Sequence, residues 1–380
     1  MKISFRSAKT AVIAALLQND QLSRLELSER AEVSPAAITE VTQTLLREGL
    51  LLEQPSVSSE RRRGRPTVQL SLQASHSCFA GISISEEETL LAITNLRGEL
   101  LYTDAVPEFA SPEEMPAAIR AAFSKALQKS GIARSRVRGV GIAVPGIVDV
   151  EEGVCRYSAG LNWRDVPVAQ LVSKALRIQA WVDNDANAVA VGEKTFGLAR
   201  EYDNFSSIVL GRTIGSAHYM HGMLYRGEDG SAGEIGHITM DPAGKPCRCG
   251  RNGCLDTISG AYALEQDARD AGLKIRKAAD LEALARQGDG KAVHLLRTAG
   301  QVLGSAVAVL VHLNNPRAVL FTDLEGFGNG VFRTATRQAI ENSVLPRFLG
   351  STRIVFGEGE HGSLARSAAS IAAFNYLVSL

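Results

Sequence analysis

The chain has 380 residues, of which 45% are apolar and 22% are charged, and 41 basic side chains balance 41 acidic ones. This composition can bury large cores, which excludes a mostly disordered protein, and zero net charge excludes a uniformly basic nucleic-acid coat. The length predicts two or three domains. The apolar run at residues 307–311 is far shorter than the roughly 20 residues of a membrane helix, so we expect a cytoplasmic protein without membrane insertion.

Residues 1–72 have their own character, with few glycines and short helical patterns. Apolar positions at helical spacing predict a first helix over residues 9–17. Ser23, with Glu26 three positions later, forms a capping box that predicts a second, short helix.

A third helix is predicted to begin at Ser34, where a cap residue precedes proline, and to end at Gly49. Its predicted buried stripe consists of Ile38, Val41, Leu45 and Leu46. Two short helices joined by a turn are typical of a helix-turn-helix, although an ordinary three-helix structural domain has the same pattern.

Two predicted strands, residues 50–52 and 68–72, flank a basic tip that would form a wing. The tip, residues 61–66, holds four of the ten basic residues found in residues 1–72, against eight acidic residues. Positive charge is therefore concentrated at one place, which favours a DNA-binding winged helix.

Polar side chains off the apolar stripe of the third helix are the candidates for reading base edges in the major groove. Arg63-Gly64-Arg65-Pro66 in the tip resembles a minor-groove AT-hook core, although contact with phosphates alone is the alternative. The residues that we assign to the DNA surface are Ser34, Thr39, Glu40, Gln43, Arg63 and Arg65.

After residue 73 the pattern changes to alternating strands and helices. Residues 79–84, 90–94 and 137–144 are predicted strands, and residues 116–129 are a predicted helix. A similar order follows: predicted strands at residues 207–210, 217–220 and 318–322, with helices dominating residues 258–312. Two similar α/β units in tandem are consistent with an internal duplication.

Three of the five cysteines lie within eight residues, and a histidine precedes them. His237, Cys247, Cys249 and Cys254 match the ligand number and chemical softness of a closed tetrahedral zinc site. Closed sites are normally structural, so we expect one structural Zn²⁺ per chain, with a redox-sensing thiol cluster as the alternative. Cys78 and Cys155 are isolated in apolar surroundings and are expected to be buried, inert thiols.

Residues 233–237 and 247–254 together resemble the signature of the ROK family, which joins sugar kinases and sugar-responsive repressors. The similarity extends to Val144-Pro145-Gly146, Leu161-Asn162-Trp163 and residues 184–188, in the family's order across residues 79–376. With the winged helix in front, the chain resembles a NagC/Mlc-type repressor.

The resemblance implies an α/β actin/hexokinase-like (ribonuclease H-like) duplicated two-lobe domain with a structural zinc site, following an α+β winged helix-turn-helix. The domains that we expect are residues 1–72 for DNA binding, residues 73–183 for the first lobe, completed by a helix at 363–380, and residues 184–362 for the second lobe. Its partners would be operator DNA, a sugar or sugar-phosphate effector, and further copies of the chain in a homodimer or homotetramer.

By the same resemblance, a sugar site would be lined by Asn184, Asp185, Glu234, His237, Asp256 and Asn162. Asp185 matches the base of the sugar kinases, although a helix N-cap is an alternative role for it. His237 would hold zinc with one ring nitrogen and a sugar hydroxyl with the other. Asp256 stands where the family has a glutamate that contacts sugar, and its carboxylate is one methylene shorter.

Three turns that bind ATP in the kinases depart from the family's glycine-rich pattern. Residues 81–88 read Gly-Ile-Ser-Ile-Ser-Glu-Glu-Glu in place of Asp-x-Gly-Gly-Thr, and residues 211–217 read Gly-Arg-Thr-Ile-Gly-Ser-Ala in place of Gly-Thr-Gly-Ile-Gly-Gly-Gly. Asp323-Leu324-Glu325 replaces a third glycine pair. These departures favour a repressor that is not an enzyme; an active kinase with a fused DNA-binding domain, or a winged helix that contacts only proteins, are the alternatives.

Overall fold

The structure, a computed structural model, describes residues 7–55, 68–360 and 362–380. Its contacts divide the chain into two compact units. Unit 1 contains the described residues up to Asp183, together with Val191–Glu201 and Ala365–Leu380; unit 2 contains Asn184–Ala190 and the described residues of Tyr202–Leu364.

The N-terminal part of unit 1 consists of three helices and a small antiparallel sheet of order β1-β3-β2. In chain order the elements are α1 (Ala8–Gln18), β1 (Leu22–Ser23), α2 (Arg24–Ala31), α3 (Pro35–Arg47), β2 (Leu51–Pro55) and β3 (Val68–Leu72). Ser23 and Glu26 form the predicted capping box, and the Ser34 side chain accepts from Ala37 N at the start of α3. The basic tip, with Arg63 and Arg65, lies outside the described residues.

The buried face of α3 differs from its predicted stripe at three positions. Ile38 and Leu45 are fully buried as predicted, but Thr42 is buried with them, whereas Val41 and Leu46 are only partly buried. Thr42 fits there because its hydroxyl accepts from Arg24 Nε at 3.2 Å and donates to the Thr39 carbonyl at 3.2 Å.

The rest of unit 1 is built on a five-stranded sheet of order β11-β7-β4-β5-β6. The elements are β4 (Cys78–Ile84), β5 (Thr89–Asn95), β6 (Leu100–Ala105), α4 (Met115–Ser130), β7 (Val137–Val144), β8 (Ile147–Asp149), β9 (Val154–Ser158), β10 (Trp163–Val166), α5 (Val168–Leu176), β11 (Ala180–Asn184) and, from the end of the chain, the helix Ser363–Ser379. This last helix lies directly on the sheet, because a Cβ on Gly81 or Gly141 would come within 2 Å of its backbone oxygens.

The N-terminal helices share a core with this C-terminal helix. Val12, Ile38 and Leu70 belong to one buried cluster with Phe79 of β4 and Leu377. Tyr376 packs against Phe79 with ring centroids 5.5 Å apart. The core of the described N-terminal residues therefore continues into β4 and the C-terminal helix.

Unit 2 contains a second five-stranded sheet, of order β14-β13-β12-β15-β16. The helix α6 (Asp185–Thr195) precedes this sheet; its first part belongs to unit 2 and its last part, from Val191, to unit 1. The other elements are β12 (Phe205–Leu210), β13 (Ile214–Met220), β14 (Met223–Tyr225), α7 (Asp256–Ser259), α8 (Ala261–Asp270), α9 (Asp280–Arg286), α10 (Gly290–Asn314), β15 (Ala318–Asp323), α11 (Val331–Ser343) and β16 (Arg353–Glu358). The C-terminal helix Ser363–Ser379 is α12. In each unit an antiparallel three-stranded part is continued by a parallel strand, β7 on β4 and β15 on β12. This repeated arrangement is the predicted pair of similar α/β units.

One helix in the described part of the chain, α10, is long and apolar enough to cross a membrane by length and composition. Half of its most apolar window is buried inside the protein. Leu296, Leu303 and Val307 of α10 belong to the core of unit 2 together with Phe332 of α11. The helix therefore has the burial of a core helix.

Candidate metal and effector site

Four potential metal ligands converge in unit 2. One ligand atom from each of His237, Cys247, Cys249 and Cys254 lies within 4.8 Å of the others. His237 Nδ1 is 3.5 Å from Cys247 Sγ, and Cys249 Sγ is 3.6 Å from Cys254 Sγ. In a tetrahedral zinc site, ligand bond lengths imply nitrogen–sulfur and sulfur–sulfur separations of about 3.6 Å and about 3.8 Å. The donor set and its spacing fit one zinc ion.

The loop that carries the cysteines is held in place by its own backbone. Cys247 N donates to Arg251 O at 2.7 Å, and Gly250 N donates to Cys247 O at 2.9 Å. Burial and the neighbouring thiols raise the pKa of Cys254 to about 12, so three thiolates here require a cation to balance their charge. The 3.6 Å between Cys249 and Cys254 is far longer than a disulfide bond.

The histidine ring presents its two nitrogens to different neighbours. Nδ1 faces the thiols, while Nε2 lies 3.9 Å from Glu234 Oε2. His237 is in a 3₁₀ turn, Ile235–His237, directly after Glu234. A metal on Nδ1 would leave Nε2 to contact a ligand next to the Glu234 carboxylate, which is the double role that the family resemblance implies for His237.

Asn184 and Asp185 lie at the junction of β11 and α6. Asn184 Oδ1 accepts from Ala186 N at 2.8 Å and Asn187 N at 3.3 Å, so Asn184 is the helix cap and the capping role considered for Asp185 belongs to its neighbour. Asp185 Oδ1 accepts from Ala186 N at 2.7 Å. Burial raises the pKa of Asp185 to about 6, and the charge of Glu234 adds to this effect.

Asp256 is buried against the turn between β12 and β13. Its Oδ1 accepts from Ile214 N at 2.7 Å, and its Oδ2 lies 3.9 Å from His237 Nδ1. The Asp256 carboxylate, one methylene shorter than the family's glutamate, thus accepts a hydrogen bond from a backbone amide beside His237. Asn162 belongs to unit 1, between β9 and β10, where its φ of 52° is the left-handed conformation that asparagine tolerates. The other five predicted effector residues lie in unit 2.

At the positions of the kinase ATP motifs, side chains of this chain form ion pairs, stacking contacts and hydrogen bonds with the turns. Arg212 pairs with Glu265 at 2.8 Å and stacks over Tyr262, with 5.4 Å from its guanidinium carbon to the ring centroid. In unit 1, the Ser85 hydroxyl closes the β4–β5 turn by accepting from Glu88 N at 3.1 Å and donating to Glu88 O at 2.8 Å.

Asp323 closes the third turn with its carboxylate. Oδ1 accepts from Glu325 N at 3.1 Å and Gly326 N at 2.8 Å, and Oδ2 accepts from Gly328 N at 2.7 Å. Converging backbone N–H groups of this kind form an anion site, and here the protein's own anion fills it. Sequence reasoning noted the missing glycines but missed this contact, although an aspartate with glycines three and five positions later is a signal for it.

The family model described as the ROK family matches residues 79–364. The chain belongs to the ROK family. The xylose repressor of Caldicellulosiruptor bescii is 26% identical to this ROK protein over 357 residues, which cover 90% of this chain and 89% of the relative. The glucokinase of Thermotoga maritima is 32% identical over 237 residues, which cover 57% of this chain and 73% of the glucokinase.

Among solved structures, a ROK family transcriptional regulator, a homologue of the E. coli MLC protein, matches 98% of this chain and all of its own, with a TM-score of 0.81 and 25% identity. These matches confirm the resemblance to NagC/Mlc-type ROK regulators and the two-lobe actin/hexokinase-like fold. Because the ROK match begins at residue 79, the N-terminal helices precede the family domain.

The helix α3 in front of the ROK domain has one polar face. Ser34, Thr39, Glu40 and Gln43 are all exposed, whereas Ile38 and Leu45 are buried. The Thr39 hydroxyl donates to Pro35 O at 2.9 Å, so its proton is used within the helix and its oxygen can only accept from a partner. The four predicted DNA-contacting residues on α3 are therefore accessible.

Proposed function

We propose that this ROK protein is a DNA-binding transcriptional repressor of carbohydrate-uptake or catabolic genes, controlled by a sugar or sugar phosphate. The observation that carries the proposal is the exposed polar face of α3, a capped helix placed ahead of a sugar-type domain. The full-length similarity to a named xylose repressor supports it. The protein acts in the cytoplasm as a homodimer or homotetramer, since an operator with two-fold symmetry needs two DNA-binding domains.

The N-terminal residues 1–72 act as a winged helix-turn-helix. α2 and α3 form the helix pair, and α3 enters the major groove with Thr39, Glu40 and Gln43 toward base edges. β2 and β3 are the strands of the wing, and Arg63 and Arg65 at its tip enter an A·T-rich minor groove. Residues 73–183 with 363–380, and residues 184–362, are the two lobes that respond to the effector.

Asp185 and Glu234 bind sugar hydroxyls, since a carboxylate accepts two vicinal hydroxyls at once. His237 Nε2 joins them, and Asn184 orients Asp185. Asn162, a residue of unit 1, stays a prediction from the family resemblance. Asp256 acts in this chain as a positioning residue, because its carboxylate is committed to Ile214 N. The raised pKa of Asp185 supports a site dry enough to make such hydrogen bonds strong.

One structural Zn²⁺ is held by His237 Nδ1 and the thiolates of Cys247, Cys249 and Cys254. The ion supplies no chemistry to a substrate, because four protein ligands complete its tetrahedral shell. Its role is to fix the ring of His237, so that Nε2 faces Glu234.

A sugar kinase with a fused DNA-binding domain is the second candidate, favoured by the similarity to a glucokinase and by Asp185, whose raised pKa suits a general base. The side chains of Arg212 and Asp323 in the ATP turns argue against it. Transfer of phosphate from ATP to D-glucose or D-xylose above the level of an Asp185→Asn variant would establish the kinase.

The experiment that tests the repressor is a gel shift on the intergenic DNA next to the gene at several salt concentrations. A steep salt dependence is expected, because phosphate contacts release counterions. D-xylose, D-glucose and D-glucose 6-phosphate are then added in turn. The proposal fails if the protein binds this DNA no better than unrelated DNA.

Arg65→Ala should weaken operator binding and reduce the preference of the protein for A·T-rich flanking sequence.

A further inference from the structure

Behind the loop that carries Glu234 lies a row of buried polar side chains from β12 and β13. Ser206, Ser216 and His218 are each less than a tenth exposed. Ser206 Oγ is 3.0 Å from His218 Nδ1, and His218 Nε2 is 3.3 Å from Ser216 Oγ. Ser216 Oγ in turn donates to the carbonyl oxygen of Gly233 at 2.8 Å. The row joins the centre of the sheet to the Glu234 loop.

The direction of every hydrogen bond in this row follows from its last member. A carbonyl oxygen only accepts, so the Ser216 proton points to Gly233 and the Ser216 oxygen accepts from His218. The imidazole then carries its proton on Nε2, and Nδ1 accepts from the Ser206 hydroxyl. Burial lowers the pKa of His218 to about 4, which agrees with a neutral ring at neutral pH.

The Gly233 carbonyl is also the acceptor of a tight turn centred on Glu234. Ile235 N donates to Gly233 O at 2.7 Å, and Glu234 has φ −70° and ψ 50°, the values of an inverse γ-turn. Gly233 has φ 96°, and a Cβ there would lie 2.3 Å from Ser216 O. The turn therefore packs against β13, and the Ser216 hydroxyl donates a hydrogen bond to the same Gly233 carbonyl that accepts the hydrogen bond of the turn.

We propose that Ser216 and His218 are positioning residues of the effector site, which fix the γ-turn that presents Glu234 to a sugar hydroxyl. This inference rests on the proposed effector role of Glu234. Ser216 stands at a position where the kinase turn is expected to have glycine. Ser216, at the position of an ATP-binding turn of the kinases, would thus support the sugar-binding loop in this chain.

The same sheet offers a matched control for a test. Ser207 lies next to Ser206 on β12 and is fully buried, but its hydroxyl has no hydrogen-bond partner among the residues that the structure describes. Ser216→Ala should weaken the binding of D-xylose or D-glucose about three- to tenfold, the effect of one lost buried hydrogen bond. Ser207→Ala should leave it within about twofold, because no hydrogen bond is lost there. Zinc content and operator affinity without sugar should be unchanged in both.

Two further measurements separate positioning from general stability. Hydrogen exchange of the Ile235 amide should accelerate in Ser216→Ala and not in Ser207→Ala. His218→Gln keeps an N–H donor at the position of Nε2 and should retain sugar affinity, whereas His218→Leu should lose it to the same extent as Ser216→Ala.

Equal sugar affinity and equal Ile235 exchange in Ser216→Ala and Ser207→Ala would overturn the inference. Parallel losses of sugar and operator binding in Ser216→Ala would overturn it as well, since they indicate general unfolding. If the wild-type protein binds operator DNA but neither sugar, the proposed effector role fails by itself. The Ile235 exchange rates then still decide whether Ser216 and His218 hold the turn.

Discussion

At the scale of single residues, the carboxylates of unit 2 differ in the elements that they join. Asp323 accepts from three backbone N–H groups of one loop, and Asp256 and Glu282 accept from backbone N–H groups outside their own helices. Asp185 accepts from a backbone N–H at the start of its own helix, and the Glu234 side chain is half exposed. The contacts of the first three join separate elements of the fold, whereas we propose Asp185 and Glu234 as ligand-binding residues.

Asp185→Asn should weaken sugar binding about tenfold or more, because a charge-assisted hydrogen bond is lost. In the wild-type protein, sugar affinity should rise between pH 5 and pH 7, as Asp185 with a pKa of about 6 becomes the accepting carboxylate. Calorimetric titrations across this range should show a smaller pH dependence for the variant, in which only Glu234 of the pair can still titrate; burial also raises the pKa of Glu234. Unchanged sugar binding by Asp185→Asn would contradict the site.

The same raised pKa has a consequence for stability. The folded state holds the Asp185 proton more tightly than the unfolded chain, so it loses stability as pH rises from about 4 to about 6. This contribution should disappear in Asp185→Asn, as measured by urea unfolding at both pH values.

Asp323→Ala should lower the free energy of unfolding of the protein by about 2–4 kcal/mol, because three loop N–H groups lose their acceptor. Exposed Asp270, at the end of α8, gives the control, and its replacement by alanine should change stability by less than about 0.5 kcal/mol. ATP should still fail to bind Asp323→Ala, since Arg212 and Glu265 close the other turn of unit 2. Restored ATP binding would mean that Asp323 alone blocks the nucleotide.

At the scale of elements, sequence reasoning succeeded where the signal is local. The Ser23–Glu26 capping box and six of the ten strands in the two five-stranded sheets follow from neighbouring residues and their spacing. The sequence analysis did not predict the other four strands, β6, β11, β14 and β16. It missed Thr42 in the core of α3, because the partner that satisfies this hydroxyl, Arg24, lies on another helix. The Ser206–His218–Ser216 row was also missed, since its members meet only when β12 pairs with β13.

The exposed face of α3 leads to a prediction for DNA reading. Gln43→Ala should weaken specific operator binding by about 1–3 kcal/mol, with a smaller effect on non-specific DNA. Exposed Glu29 of α2 provides a control. If Glu29→Ala weakens operator binding as much as Gln43→Ala does, the loss comes from a general change in the DNA-binding domain and not from a contact of Gln43 with a base. Equal losses on operator and non-specific DNA would assign Gln43 to backbone contact.

The cysteine loop leads to a prediction for the metal. Protein purified without chelator should contain one zinc per chain, and Cys249→Ser should lose it together with the sugar response, because His237 is then no longer fixed. Operator binding without sugar should persist, since the helices that read DNA belong to unit 1. Metal analysis of the wild-type protein that finds no zinc would contradict the site.

At the scale of the whole molecule, sugar and operator should each weaken the binding of the other by the same factor. A coupling of about 1–3 kcal/mol corresponds to about 5- to 150-fold. Operator affinity is measured at saturating sugar, and sugar affinity at saturating operator. Operator affinity that is unchanged at saturating sugar would contradict the coupling, since linkage makes the two factors equal whenever both ligands bind at equilibrium.

The shared core of α1–α3 and α12 also constrains when the DNA-binding region can fold. The ribosome makes α12 only after both five-stranded sheets, so the nascent N-terminal helices lack Leu377 and the α12 alanines against which they pack. Contacts so distant in sequence form late and slowly. We expect a chain released early from translation to expose the apolar surface that α12 covers in the finished protein, and its N-terminal helices to be less stable as a result.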